Sequence, residues 1–208
     1  MTDRVVLKNE VLALLDSSLN SFGFKMSKAA NDFTQKTDFG WNKYQIVFLE
    51  REKGWEIKPS LLVRFDDIEN LYHSISDFEK KYQKGTPTIG IAIEDLVNDN
   101  TPVRFELTKL SEIDYVVKEL LNLFNSIALP FFSKYNNLQQ IDNLLNNGTD
   151  DTSITGDIFK GIKSLIVAKL TNRTDLEKIG LAYQQYYQKF ANGFYLPEYN
   201  RLKELLNA

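Results

Sequence analysis

Carboxylates and one imidazole are the groups in this chain whose types and spacing could do chemistry. His73, in Leu71-Tyr72-His73-Ser74-Ile75, is the only histidine. Its ordinary pKa lies near neutrality, which makes it the natural proton-transfer candidate. A serine–histidine–carboxylate triad would need a positioned nucleophile beside it. No serine stands in a Gly-x-Ser-x-Gly turn, so His73 reads as an ordinary helix-surface or half-buried residue. The acidic groups are Asp66/Asp67/Glu69, Glu94/Asp95 and Asp150/Asp151. Such carboxylates can bind Mg²⁺ or Ca²⁺ or work as an acid–base pair. Asp66, Asp67 and Glu69, however, stand where a helix should begin, and negative charge there favours the helix dipole. Asp38-Phe39-Gly40 spells the kinase metal-binding tripeptide, but the glycine-rich and His-Arg-Asp loops that give it meaning are missing.

The chain has no cysteine, which excludes disulfides, thiolate nucleophiles and zinc–thiolate sites. One histidine cannot build a two-histidine metal site within one chain. We expect no catalytic residue, no metal and no cofactor. Lysine plus arginine number 25 against 28 aspartate plus glutamate, a net charge of −3. Lys160, Lys163, Lys169 and Arg173 form a modest basic stripe on an expected helix, but acidic residues surround it and no nucleic-acid partner is expected. No apolar stretch approaches the ~20 residues of a membrane span. The opening Met1-Thr2-Asp3-Arg4-Val5-Val6-Leu7-Lys8 lacks a charged-then-apolar signal layout, so the expected compartment is the cytoplasm and no membrane partner is expected. The acceptor patterns Asn147-Gly148-Thr149 and Asn172-Arg173-Thr174 then read as silent.

Apolar residues make up 43% of the chain, with 14 Phe and 10 Tyr, enough for a sizeable core. Val5, Leu12, Leu15 and Leu19 predict a helix over 3–21, capped by Thr2 or Asp3 and ended by Gly23 with Phe24 packing back. Residues 33–37 and 44–49 alternate, with a turn at Asp38-Phe39-Gly40, and Glu50-Arg51-Glu52-Lys53-Gly54 reads as a hairpin loop. The clearest strand is 55–65. Trp55, Ile57, Pro59, Leu61, Val63 and Phe65 share one face, and Glu56, Lys58, Ser60, Leu62 and Arg64 the other. Pro59 cannot donate to a ladder, which predicts an edge or a bulge there. A helix follows over 68–84, then short strands over 89–93 and 103–107. Gly90 and Ala92 leave room for a close approach.

From Ser111, capped with Asp114 at the N3 spacing, the period becomes helical, with Val116, Leu120, Leu123, Phe124 and Ile127 on one face. Pro130 should kink or restart that helix. Further helices are expected over 137–147, 157–171, 174–192 and 197–207, after a loop over 146–153. Tyr183, Tyr186, Tyr187, Phe190 and Phe194 recur at helical spacing as an inner face or an interface.

The helix leading to Gly23-Phe24-Lys25, the strand Tyr44-Gln45-Ile46-Val47-Phe48 after Phe33, and the helix ending in Ala128-Leu129-Pro130-Phe131-Phe132 carry a resemblance. Over about residues 5–145 this layout resembles a bacterial domain-of-unknown-function family, numbered 4304. The resemblance implies a small cytosolic α+β protein without catalytic residues to transfer. Domains of this general look include immunity and accessory proteins of bacterial conflict systems.

The expectation is an α+β fold: a four- or five-stranded antiparallel sheet packed against helices, with a C-terminal helical extension. Residues 1–147 form the α+β domain and 148–208 the extension. The expected function is non-catalytic binding of another protein, in an immunity or regulatory role. Glu56, Lys58, Arg64, Arg104 and Glu106 on the solvated sheet face are its candidate partner-binding residues. The alternatives are a carboxylate- or metal-dependent hydrolase and a module for a small apolar ligand.

Overall fold

The computed structural model describes residues 4–27, 30–97, 102–147 and 154–207. The expected caps Thr2 and Asp3, the pair Asp150/Asp151, and residues 148–153 of the expected loop lie outside them. The helices are α1 (Arg4–Leu19), α2 (Asp66–Ile75), α3 (Lys80–Gln83), α4 (Ile93–Leu96), α5 (Ile113–Leu123), α6 (Leu129–Lys134), α7 (Leu138–Asn146), α8 (Asp157–Leu170), α9 (Leu176–Lys189) and α10 (Leu196–Leu206). The strands are β1 (Lys25–Ser27), β2 (Asp32–Thr37), β3 (Gly40–Glu50), β4 (Trp55–Phe65), β5 (Ile89–Ala92) and β6 (Phe105–Leu107). The fold is α+β, with an antiparallel sheet ordered β1-β2-β3-β4-β5 and β6 on β4.

The elements divide into two compact units: Met1–Val63 with Gly90–Lys134, and Arg64–Ile89 with Tyr135–Ala208. This division does not coincide with the expected boundary at 147/148. The chain passes to the second unit at the end of β4 and returns within β5. The segment 64–89 therefore groups with the C-terminal helices.

In the first unit α1 runs its buried face, Leu7, Val11, Leu12, Leu15 and Leu19, against α5. Gly23 takes φ +81°, the left-handed turn that a side chain would resist, and Phe24 N–H closes on the Leu19 carbonyl at 3.2 Å. Phe24 is fully buried, with the Phe124 ring edge-on at 5.2 Å. The Tyr44 hydroxyl donates to the Leu120 carbonyl at 2.9 Å, which satisfies a polar tip inside the core. On the expected inner face of β4, Ile57, Pro59, Leu61, Val63 and Phe65 are buried and Trp55 is half-buried. Pro59 is not on an edge strand. It lies between Ile57, which is in register with Phe105 of β6, and Leu61, which lies beside Gly90 of β5. One side of β4 is thus shared by two short partners, and the residue without an N–H stands between them. Leu62 fills the space that Gly90 leaves.

Pro130 does not end its helix. A π-helical turn, Phe124–Ala128, joins α5 to α6, and Leu129 N–H reaches back five residues to the Phe124 carbonyl. The extra residue in that turn accommodates a proline that can make no such bond. The start of α5 also differs from expectation. Glu112, not Asp114, reaches back, and its carboxylate accepts from Thr108 N–H at 2.7 Å and Lys109 N–H at 3.2 Å.

In the second unit α8 is buried on every side from Lys160 to Ala168, with α2, α7, α9 and α10 packed on it. A helix enclosed by neighbours has no polar face to show. Tyr187 and Tyr199 are buried, and their hydroxyls donate to the Ile158 and Gly180 carbonyls at 2.6 and 3.1 Å. The helix expected over 68–84 is broken at Ser76, which is extended, and only α3 resumes the pattern.

Candidate functional site

The single imidazole lies in the second unit, in a polar centre built from α2, α8 and the segment before β5. The His73 side chain is 4% exposed. Its Nε2 lies 2.8 Å from Thr86 Oγ1 and its Nδ1 3.2 Å from Ser76 Oγ. Glu69, one turn earlier, is completely buried, with Oε2 4.0 Å from the same His73 Nε2. Its Oε1 lies 3.2 Å from Lys163 Nζ on α8. The Lys163 ammonium also donates to the Pro87 and Thr88 carbonyls, at 2.5 and 3.1 Å. Neither Glu69 oxygen accepts a well-aligned hydrogen bond among the described residues, so charge rather than geometry holds it.

Arg64 completes this centre and corrects an expectation. It shares the outward parity of β4, yet it is 3% exposed. Its Nη1 donates to the Gln83 carbonyl, the Thr86 carbonyl and Thr86 Oγ1, each at 2.8 Å, and its Nε to Asp66 at 2.6 Å. The segment 83–86 covers the end of the strand, so Arg64 cannot offer its charge to a partner. Two more expectations change here. Glu69 is not helix-start surface charge, because its side chain turns inward toward Lys163. The basic stripe is not a solvated face, because Lys160 and Lys163 are buried. Arg173 is bound to Asp142 at 3.0 Å and to Asp175 at 2.8 Å.

The electrostatics follow from burial. Desolvation holds His73 below its ordinary pKa, with Arg64 and Lys163 helping and Glu69 opposing. Burial also lowers Lys163, against the pull of Glu69. A triad would place the nucleophile and the carboxylate on opposite ring nitrogens. Here Thr86 and Glu69 share Nε2, and Ser76 faces Nδ1. The Glu69 and Lys163 side chains are enclosed and Ser76 and Thr86 are half-buried, and together they tie α2 to the segment before β5. Among the described residues no group of three or more His, Cys, Asp or Glu could hold a metal ion.

The other candidate partner-binding residues belong to the first unit. Glu94 binds Lys58 and, at 2.9 Å, Arg104. Glu56 binds Arg51 at 3.1 Å and Arg104 at 3.5 Å. These five side chains form one surface network, which lowers the Glu56 and Glu94 pKa values chiefly through hydrogen bonds from Arg51 and Arg104 respectively. Glu106 stands directly opposite Glu56 across the β4–β6 ladder and has no ion-pair partner among the described residues.

Beside it runs a feature that the periodicity did not announce. A groove of about 560 Å³ lies between residues 102–106 and one stripe of α5 that includes Tyr115, Glu119 and Leu123. The i, i+4, i+8 spacing of those three residues was the available signal. Tyr115 is 62% exposed. Among the described strands β6 pairs with β4 alone, on one of its two edges. The expected aromatic face on α9 divides instead. Tyr187 is buried, while Tyr186 stacks on Phe190 at 5.2 Å and Phe194 is exposed.

No protein-family model, curated protein or solved structure gives a significant match to this chain. Among the described residues no helix is long and apolar enough to cross a membrane.

Proposed function

We propose that this protein acts by binding another protein, without catalysis, through the groove between β6 and α5. One observation carries this reading: an open groove with an exposed tyrosine lies along β6, which among the described strands pairs with β4 alone. Unpaired strand edges invite pairing with another chain, and tyrosine is favoured where proteins meet. The His73 centre supports the same reading, since Thr86 and Glu69 share Nε2 and Ser76 faces Nδ1, which is not the order of a triad. The place of action we propose is the cytoplasm, in an immunity or regulatory role. The likeness to the bacterial family numbered 4304 belongs to this proposal, since it implies no catalytic residues.

The test is capture from source-cell lysate with the wild-type chain, Tyr115→Asp, and Arg201→Glu as a control outside the groove. The expected result is a protein retained by wild type and control and lost with Tyr115→Asp. Identical profiles for all three would remove the groove from the proposal. Turnover of a substrate abolished by His73→Gln in a still-folded chain would replace binding with catalysis.

A further inference from the structure

The walls of the groove narrow the kind of partner. Its carboxylates are Glu106, Glu112 and Glu119. Glu112 is engaged with the Thr108 and Lys109 backbone, which holds its carboxyl below the ordinary value and keeps it ionised. Glu119 accepts a long bond from Asn122, at 3.3 Å. Among the described residues lining the groove the cation is Arg104, already shared by Glu94 and Glu56, and Glu112 also pairs with Lys109 at 3.7 Å. Glu106 faces Glu56 across the ladder, and like charges directly opposite each other are unfavourable. A cation placed beside Glu106 relieves that repulsion. Between the carboxylates, Phe105, Tyr115 and Leu123 offer apolar surface.

We infer that the groove receives an extended segment of a partner protein that alternates lysine or arginine with apolar residues and adds as a strand to β6. This rests on the binding function proposed above and names the occupant of the same groove. A strand laid on the β6 edge bonds through its backbone, and its side chains alternate in direction every residue. One set then lies on the outer face with Glu106, and the other lies on the face of Phe105, toward Tyr115, Glu119 and Leu123 of α5. A helical occupant would leave the β6 backbone groups unpaired, and an acidic one would meet three glutamates.

The probe is a fluorescent nine-residue peptide alternating Lys and Val, followed by anisotropy. Two further peptides accompany it: one with Glu for Lys, and one with Lys and Val N-methylated at every amide. The Lys–Val peptide should bind and weaken as salt is raised from about 0.05 to about 0.5 M. The Glu peptide should fail to bind. The N-methylated peptide should lose affinity, because strand addition needs its amides. Glu106→Lys/Glu119→Lys should weaken the Lys–Val peptide by about tenfold or more, since it meets like charge. Far-ultraviolet circular dichroism of the variant verifies that it has folded.

Equal binding of the Lys and Glu peptides would overturn the basic occupant. Undiminished binding of the N-methylated peptide would overturn strand addition. If no peptide binds while lysate capture still depends on Tyr115, the partner docks a folded surface, and this inference fails while the binding function stands. If capture is also independent of Tyr115, the binding function at this groove fails with it.

Discussion

Arg104, Lys58, Glu94 and Glu56 on the first unit, and Arg64, Lys163, Glu69 and Asp66 in the second, are nearly the same set of side chains in two different settings. In the first cluster Arg104 is open to water and salt. In the second, Glu69 is completely buried and Lys163 and Arg64 nearly so. Two unit charges 4 Å apart attract by about 1 kcal/mol in water and about 4 kcal/mol at an effective dielectric constant near 20. The buried set is also bound to backbone. Lys163 reaches the Pro87 and Thr88 carbonyls, and Arg64 reaches those of Gln83 and Thr86. Its charges therefore fix where the segment 83–88 lies on α2 and α8. The surface network ties side chains to side chains and can rearrange at small cost. The difference assigns an architectural role to one cluster and leaves the other available for recognition.

The sharpest way to break this comparison is to remove one member of the buried pair. Glu69→Leu leaves the Lys163 ammonium enclosed without its countercharge, and Lys163→Met does the converse. Each should cost about 3–5 kcal/mol in urea unfolding. The double variant Glu69→Leu/Lys163→Met should recover most of that loss, because two apolar side chains of similar volume strand no charge. Single variants that unfold like the wild type would show that the pair is not held as described. A double variant no better than the sum of the singles would show that the lost carbonyl bonds of Lys163 outweigh the stranded charge.

The parts of this contrast that were legible in sequence are the ones set by local period. Ile57, Leu61, Val63 and Phe65 alternate strictly, so their burial follows from a two-residue repeat, and Gly23 with Phe24 marked the end of α1. Arg64 obeys the same repeat and is nevertheless buried, because a segment about 20 residues later folds over it. His73 read as an unremarkable helix residue because its partners Thr86 and Lys163 are distant in sequence. Lys163 read as a surface cation because of its spacing from Lys160 and Lys169. Its own neighbourhood, Gly161-Ile162-Lys163-Ser164-Leu165-Ile166-Val167-Ala168, was the better guide. A helix apolar on all sides has no solvent face for a lysine to occupy. The groove was illegible for a different reason. It depends on where β6 lies in the sheet, beside β4, which is a property of sheet order and not of any local pattern.

A smaller effect sharpens the comparison through pH. Burial holds His73 below its ordinary pKa, so as pH falls the unfolded chain takes up that proton before the folded one does. Stability present above about pH 6.5 is therefore lost as the pH drops through that region. Glu198 has the opposite sign, because burial raises its pKa and its contribution fades as pH rises through the raised value. It is common to wild type and His73→Gln, so the difference between the two proteins isolates the imidazole. Urea midpoints at about pH 7.5 and about pH 5.5 should fall further for the wild type than for His73→Gln. Parallel responses would show that His73 is not the group that titrates in the folded centre.

The smallest expected effect belongs to the surface network. Arg104→Gln removes a cation shared by two glutamates, yet both retain another partner, Lys58 at Glu94 and Arg51 at Glu56. Solvent screens what is lost, and exposed pairs of this kind contribute little to folding. The thermal midpoint should stay within the scatter of repeated scans and should not respond to added salt any differently from wild type. The same substitution leaves the groove wall more acidic, so the Lys–Val peptide should bind somewhat more tightly, and this gain should shrink as salt is raised. A clear loss of stability would place Arg104 among the structural charges, as Arg64 is. Weaker peptide binding would mean that Arg104 itself contacts the occupant. An unchanged midpoint with tighter, salt-sensitive binding is the outcome that separates a recognition surface from an architectural one.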